Sequence, residues 1–127
     1  MKEVMIIVRM NMINKTKEAL ALAGFPAFNC MKVAGRGKKK VDYELIELLL
    51  DGQQLDSVNK AEVISEQHRL IPKRLISIVA NDDDVKKIID MVIEVNQTGN
   101  MGDGKIFVVP VEEVIRVRTG ERGSEAI

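Results

Sequence analysis

Among its 127 residues the sequence has no tryptophan, one tyrosine, three phenylalanines, three prolines, one cysteine and one histidine. A single thiol, Cys30, cannot close an internal disulfide, and no charged-then-apolar signal segment opens the sequence, so both features point to the reducing cytoplasm. Cys30 itself reads as a small buried side chain on a strand, because no histidine motif supports a catalytic thiol. His68 has no second His or Cys at ligand spacing and reads as a solvated or capping side chain. With so few rings, base stacking on single-stranded nucleic acid is disfavoured. Nineteen basic residues balance nineteen acidic ones, which leaves no global field to recruit nucleic acid or an anionic membrane surface. No apolar run approaches the length of about 20 residues needed to cross a bilayer, so membrane insertion is not expected.

What the sequence does have is Thr98-Gly99-Asn100-Met101-Gly102-Asp103-Gly104-Lys105, followed at once by the apolar run Ile106-Phe107-Val108-Val109. Three glycines and a lysine can turn several backbone N–H groups and one ammonium toward the same phosphate. The spacing from Gly99 to Lys105 matches the G-x-x-x-x-G-K part of a P-loop, but Ile106 stands where the magnesium-binding Ser or Thr belongs. The flanks are also reversed. A P-loop follows a strand and opens a helix, whereas this run follows a helical pattern and opens a strand. A P-loop NTPase is therefore excluded, and an anion-binding loop and a plain glycine turn remain open. No activated nucleophile, catalytic carboxylate pair or histidine base accompanies the loop, so no catalytic residue is assigned and an enzyme is the weakest reading.

The length suits one domain able to bury about two thirds of its unfolded surface without staples. Val4-Met5-Ile6-Ile7-Val8 is a continuous apolar run and reads as a buried strand. A helix follows, with Asn14 as N-cap, good helix formers from Thr16 to Ala23, Gly24 at the C′ position and Pro26 preventing continuation. A second strand is expected from Ala27 to Gly35 and a third at Leu75-Ile76-Ser77-Ile78-Val79. Asp82-Asp83-Asp84 reads as an N-cap and first helical turn complementing the helix dipole, in preference to a metal site. The helix it opens carries Val85, Ile88, Ile89, Val92 and Val95 on one face. A strand from Lys105 to Val109 and the alternating Val114-Ile115-Arg116-Val117-Arg118 complete the chain. Strand, helix, strand, twice over, predicts an α+β, ferredoxin-like βαββαβ sandwich whose uncovered sheet face favours association.

The segment 36–73 does not fit this repeat, and its length exceeds that of ordinary connections. It opens with Gly35-Arg36-Gly37-Lys38-Lys39-Lys40 and reads as a protruding, conditionally ordered arm. Short helices at Tyr43–Leu50 and Ala61–Gln67 are suggested, with a turn at Asp51-Gly52-Gln53-Gln54 between them.

The stretches TGNMGDGKIFV, IRVRTGERGSEAI, GFPAF and GRGKKK together resemble the PII signal-transduction proteins over 1–127, apart from the middle of the long loop. The lysine-rich loop root and Leu70-Ile71-Pro72-Lys73-Arg74 are most similar to the nitrogenase-associated, Nif-type subfamily, which regulates nitrogen fixation in methanogens and some anaerobic bacteria. The resemblance implies a single PII-like domain, trimeric, with 36–73 as an effector- and partner-binding loop and ATP or ADP in the clefts between subunits. Gly102, Gly104 and Lys105 would hold phosphates, with Thr98 and Gly99 nearby. Arg116 and Arg118 would reach the phosphates from the adjacent subunit, a role that two guanidiniums on one face of a strand suit physically. Without the resemblance the same two residues read as a solvated edge-strand face.

Gly35, Gly37 and Lys38 would close over the phosphates, with Ile7 and Asn29 near the base. The implied effector is 2-oxoglutarate, bound beside Mg2+ on ATP and paired with Lys73. Lys39 stands where the family carries a magnesium-coordinating glutamine, and an ammonium cannot coordinate a cation; a second PII-type subunit supplying the glutamine would complete the site. The tip tyrosine that some bacterial relatives use for uridylylation has no clear counterpart; Tyr43 stands near the loop's start and is expected to pack locally, so that modification is not expected. The implied target is nitrogenase, and the alternative is a general PII role acting on an ammonium transporter or another nitrogen-metabolism enzyme.

Overall fold

A computed structural model describes residues 1–38 and 69–127. The expectations placed on Lys39, Tyr43, His68, the two short helices and the intervening turn lie outside the described residues. The chain divides into two compact units, Met1–Val33 with Pro72–Ile127, and Ala34–Ile71. Of the smaller unit, 34–38 and 69–71 are described; Arg36, Gly37 and Lys38 are exposed there, as are Leu70 and Ile71.

Four strands form one sheet in the order β2-β3-β1-β4: β1 (Lys2–Arg9), β2 (Asn29–Gly35), β3 (Ile71–Ala80) and β4 (Gly104–Pro110). β1 pairs antiparallel with β3 on one side and with β4 on the other. Helices α1 (Ile13–Leu22) and α2 (Asp82–Asn96) join β1 to β2 and β3 to β4, which is the expected ferredoxin-like arrangement. β3 begins four residues before the expected start, so Lys73 is a strand residue.

Strand period divides the residues between two faces. Val4, Ile6 and Val8 of β1 and Ile76, Ile78 and Ala80 of β3 pack with Leu20, Ile88 and Val92 of the helices as the buried core. Val85 joins the core from its margin. A buried polar tie links the helices, where Asn96 Nδ2 donates to Thr16 Oγ1 at 3.1 Å and to the Val92 carbonyl at 3.0 Å. The opposite sheet face carries Met5, Ile7, Leu75, Val79, Phe107 and Val109, with Phe107 45% exposed. The central run 4–8 is apolar throughout, yet only its alternate residues are fully buried within the chain.

The helix ends follow local chemistry. α1 is entered through a 3-10 turn, Met10–Met12, so it starts at Ile13 with Met12 in the cap position, and Asn14 is not its cap. It ends as expected at Gly24: Gly24 N–H donates to Ala21 O and Phe25 N–H to Leu20 O, the paired bonds of a Schellman motif. The three aspartates form the first turn of α2 after Asn81. Asp82 also takes the N-terminal ammonium of Met1 at 2.9 Å, and that hydrogen bond lowers its pKa. Cys30 is exposed, not buried: it lies on the edge strand β2, which has a neighbour on one side only, and it is not among the residues of the buried core. Among the described residues no helix is long and apolar enough to cross a membrane.

Candidate functional site

The register of the sheet gathers the anion-seeking residues at one end. Arg9 lies opposite Lys73, and Ile7 lies between Leu75 and Lys105. Arg9, Lys73 and Lys105 therefore share the face away from the helices, at the end where the glycine loop enters β4. Along this face Met5, Phe107 and Val79, with the Ser77–Glu3 hydrogen bond among them, give way to cations beside the loop.

Gly104 is the point where the loop meets the sheet. It has φ +132°, and a Cβ built there would lie 2.0 Å from the Ile7 carbonyl oxygen. Only glycine lets the backbones approach this closely. Gly102 sits against the cations, with its ideal Cβ position 3.4 Å from an Arg9 guanidinium nitrogen and 3.7 Å from Lys73 Nζ.

The loop is organised by two residues to which sequence reasoning gave no role, Asp103 and Arg9. The Asp103 carboxylate accepts from Thr98 N–H at 2.7 Å, Gly99 N–H at 3.1 Å, the Thr98 hydroxyl and Arg9 Nη1. The Thr98 side-chain and backbone bonds, then the one from Arg9, hold the Asp103 carboxyl far below the usual carboxylate range. The signal in the sequence was the acid itself, since a carboxylate within an anion loop must be turned onto donors of its own. Arg9 Nη2 also donates to the Met101 carbonyl at 3.1 Å, and Lys73 Nζ donates to the Gly102 carbonyl at 2.8 Å. Partial burial, and then the neighbouring Arg9 charge, lower the Lys73 pKa, with Asp103 acting in the opposite sense.

These bonds decide which loop donors face outward. Among the described residues every peptide group is trans, so N–H and C=O of one peptide point in opposite directions. With the Met101 and Gly102 carbonyls turned to Arg9 and Lys73, the Gly102 and Asp103 N–H groups point to the other side. Asn100 N–H is taken by the Thr98 hydroxyl at 3.2 Å. Thr98, Gly99 and Asn100 thus spend their N–H groups inside the loop, while those of Met101, Gly102 and Asp103 have no acceptor among the described residues. A mainly apolar cleft of about 400 Å³ adjoins the loop between α2 and β4, and Ile7, Asp103, Gly104 and Lys105 lie on its wall.

The other expected site residues belong to other elements of the chain. Asn29 opens β2, the edge strand farthest from β4, with β3 and β1 between them. Gly35, Gly37 and Lys38 belong to the smaller unit. Arg116 and Arg118 do not share one face of a strand. The chain reverses there, with Gly120 N–H donating to Arg116 O at 2.7 Å, Arg116 N–H to Glu121 O at 2.9 Å, and a lone bridge pairing Ile115 with Arg122. Arg116 is held within this turn by the Glu121 carboxylate and by the Glu125 carbonyl at 2.8 Å. Arg118 and Val117 are exposed at its tip.

Residues 1–121 match the family described as nitrogen regulatory protein P-II. The nitrogen fixation nifHD region GlnB-like protein 2 of Methanothermobacter marburgensis is 41% identical, with all of both chains covered. Its counterpart in Methanothermococcus thermolithotrophicus is 46% identical, with 100% of this chain and 98% of the relative covered. Among solved structures, Arabidopsis thaliana PII bound to citrate aligns with a TM-score of 0.71 at 33% identity, covering 99% of this chain and 91% of that one.

Proposed function

Because the chain belongs to the nitrogen regulatory protein P-II family, we propose that it senses ATP or ADP at the glycine loop and transmits the result through the segment 36–73 to nitrogenase. The family consists of signal-transduction regulators, not enzymes, and the nifHD-region relatives tie this chain to the regulation of nitrogen fixation. One observation carries the ligand reading: Arg9 and Lys73 hold the Met101 and Gly102 carbonyls, which leaves the Gly102 and Asp103 N–H groups turned outward in a loop that runs directly into Lys105. Oriented amides followed by a lysine suit a multiply charged phosphate or carboxylate. The citrate held by the Arabidopsis protein is a carboxylate of this kind.

The trimer is part of the proposal. The open sheet face is apolar over Met5, Ile7, Phe107 and Val109, and a central strand with no polar alternation suits a sheet covered on both sides. Asn29 opens the edge strand farthest from β4, so a site that uses it together with the glycine loop needs a neighbouring subunit. Lys73 is the counter-charge for 2-oxoglutarate, and magnesium on ATP lacks a ligand at Lys39, so a second PII-type subunit completes that part of the site. Ligand acts by favouring one state of the long segment over another, since equal affinity for both shifts nothing.

Calorimetric titration of ATP tests the assignment. Lys105→Ala and Arg118→Ala are each expected to weaken binding by about 1.5–3 kcal/mol, the scale of a charge-assisted hydrogen bond. Unchanged affinity in both variants would remove the assignment. Lys39→Gln should strengthen magnesium-dependent 2-oxoglutarate binding by the unmixed chain; tight binding by the wild type alone would show that another group supplies the ligand. Capture from nitrogen-fixing cells should retain nitrogenase, and an eluate containing an ammonium transporter instead would favour the general PII role.

A further inference from the structure

We propose that Asp103, held by Arg9, is a positioning residue that divides the glycine loop into a self-satisfied half and a ligand-facing half. The inference rests on the nucleotide reading above and goes beyond it. It assigns work to two residues that touch no ligand in that reading, and it takes the N–H groups of Thr98 and Gly99 away from the phosphate.

The geometry has three parts. The Asp103 carboxylate occupies the N–H groups of Thr98 and Gly99, at 2.7 and 3.1 Å, as a bound anion would. Arg9 reaches across 94 residues to the same carboxylate and, through its second nitrogen, to the Met101 carbonyl. Lys73 takes the Gly102 carbonyl at 2.8 Å. Two consecutive peptide planes are fixed in this way, and their N–H groups are set before any ligand arrives. Preorganised donors bind more tightly because less ordering entropy is lost on association.

The proposal has a sign that a purely electrostatic role would not share. Asp103 is a negative charge within the loop, so by Coulomb repulsion alone its removal should tighten the binding of a polyphosphate. As a positioning residue, its removal should weaken binding. Asp103→Asn keeps an acceptor for the two N–H groups and loses the charge that holds Arg9, so it should fall between wild type and Asp103→Ala.

The experiment titrates ATP into the full chain and the variants Asp103→Ala, Asp103→Asn and Lys105→Ala, and follows amide hydrogen exchange at Thr98 and Gly99 in the absence of ligand. Expected are a loss of about tenfold in ATP affinity for Asp103→Ala, a smaller loss for Asp103→Asn, and faster exchange at Thr98 and Gly99 in both. Wild-type affinity or tighter binding in the Asp103 variants, with Lys105→Ala impaired, would overturn this inference and leave the nucleotide reading intact. Absence of ATP binding by the wild type would overturn the nucleotide reading and this inference with it. Should Asp103→Ala fail to fold, Asp103→Asn decides by the same two measurements.

Discussion

The glycine loop and the C-terminal turn solve the same problem at different ranges. Each contains an arginine–carboxylate pair beside glycines, Arg9 with Asp103 in the first and Arg116 with Glu121 in the second. The first pair spans 94 residues and ties the loop to the sheet; the second spans five and closes the turn on itself. A long-range pair makes loop shape a property of the whole fold, so the loop's donors are aimed relative to β1 and β3. A local pair fixes the turn's own shape and leaves its placement to other contacts, of which the Val111 N–H bond to Met1 O, at 3.2 Å, is the one that ties the segment after β4 back to the chain's start. Under the trimer reading, this is the division expected of a rigid wall built within one subunit and an arm offered to another.

The sharpest way to break the comparison is to substitute one glycine in each region. Gly104→Ala places a Cβ 2.0 Å from the Ile7 carbonyl at φ +132°, and should destabilise the chain by about 3 kcal/mol or more through strain and forced displacement of β1. Gly120→Ala also has positive φ, +71°, but meets nothing within 4 Å, and should cost about 1 kcal/mol. Denaturant unfolding of the two variants checks the contrast, and equal losses would contradict it.

A smaller effect is expected from Arg9→Ala, which cuts the long-range tie at a partly shielded site and should cost about 1 kcal/mol while speeding amide exchange through the loop. Glu121→Gln, the local counterpart, should change stability by less than about 0.5 kcal/mol. Exchange in the glycine loop should be unaffected by it.

Acid provides the gentlest test. The folded pKa of Asp103 lies below its unfolded value, so its stabilising contribution is full above about pH 4 and is lost as pH falls toward the folded value. Loop amides should therefore stay protected through the range where ordinary carboxylates titrate, and early loss of protection near pH 4 would show that the carboxylate is not held.

Period and punctuation made most of the fold legible. The run 4–8, the apolar face of α2 and the Gly24–Pro26 stop each encode their element locally, and the doubled strand–helix–strand order yields the sheet. Sequence reasoning failed where the deciding partner is distant or where the chain turns. Nothing near Arg9 in sequence announces its partner Asp103, 94 residues away. Arg116-Val117-Arg118 alternates as a strand would, but Gly120 and Glu121 bend it into a turn. Cys30 is exposed although strand period and size suit burial, because strand residues are buried only where a sheet face is covered, and β2 is an edge. For the site, the glycines and Lys105 stood out by composition, whereas the direction of each N–H depends on which carbonyls the cations capture.

The central claim is that the glycine loop forms one wall of a nucleotide site completed by a neighbouring subunit, and native mass spectrometry with and without ATP tests it most directly. A trimer that takes up one ATP for each subunit is expected. A monomer that binds ATP as well as the assembly does, or a trimer that takes up none, would contradict it.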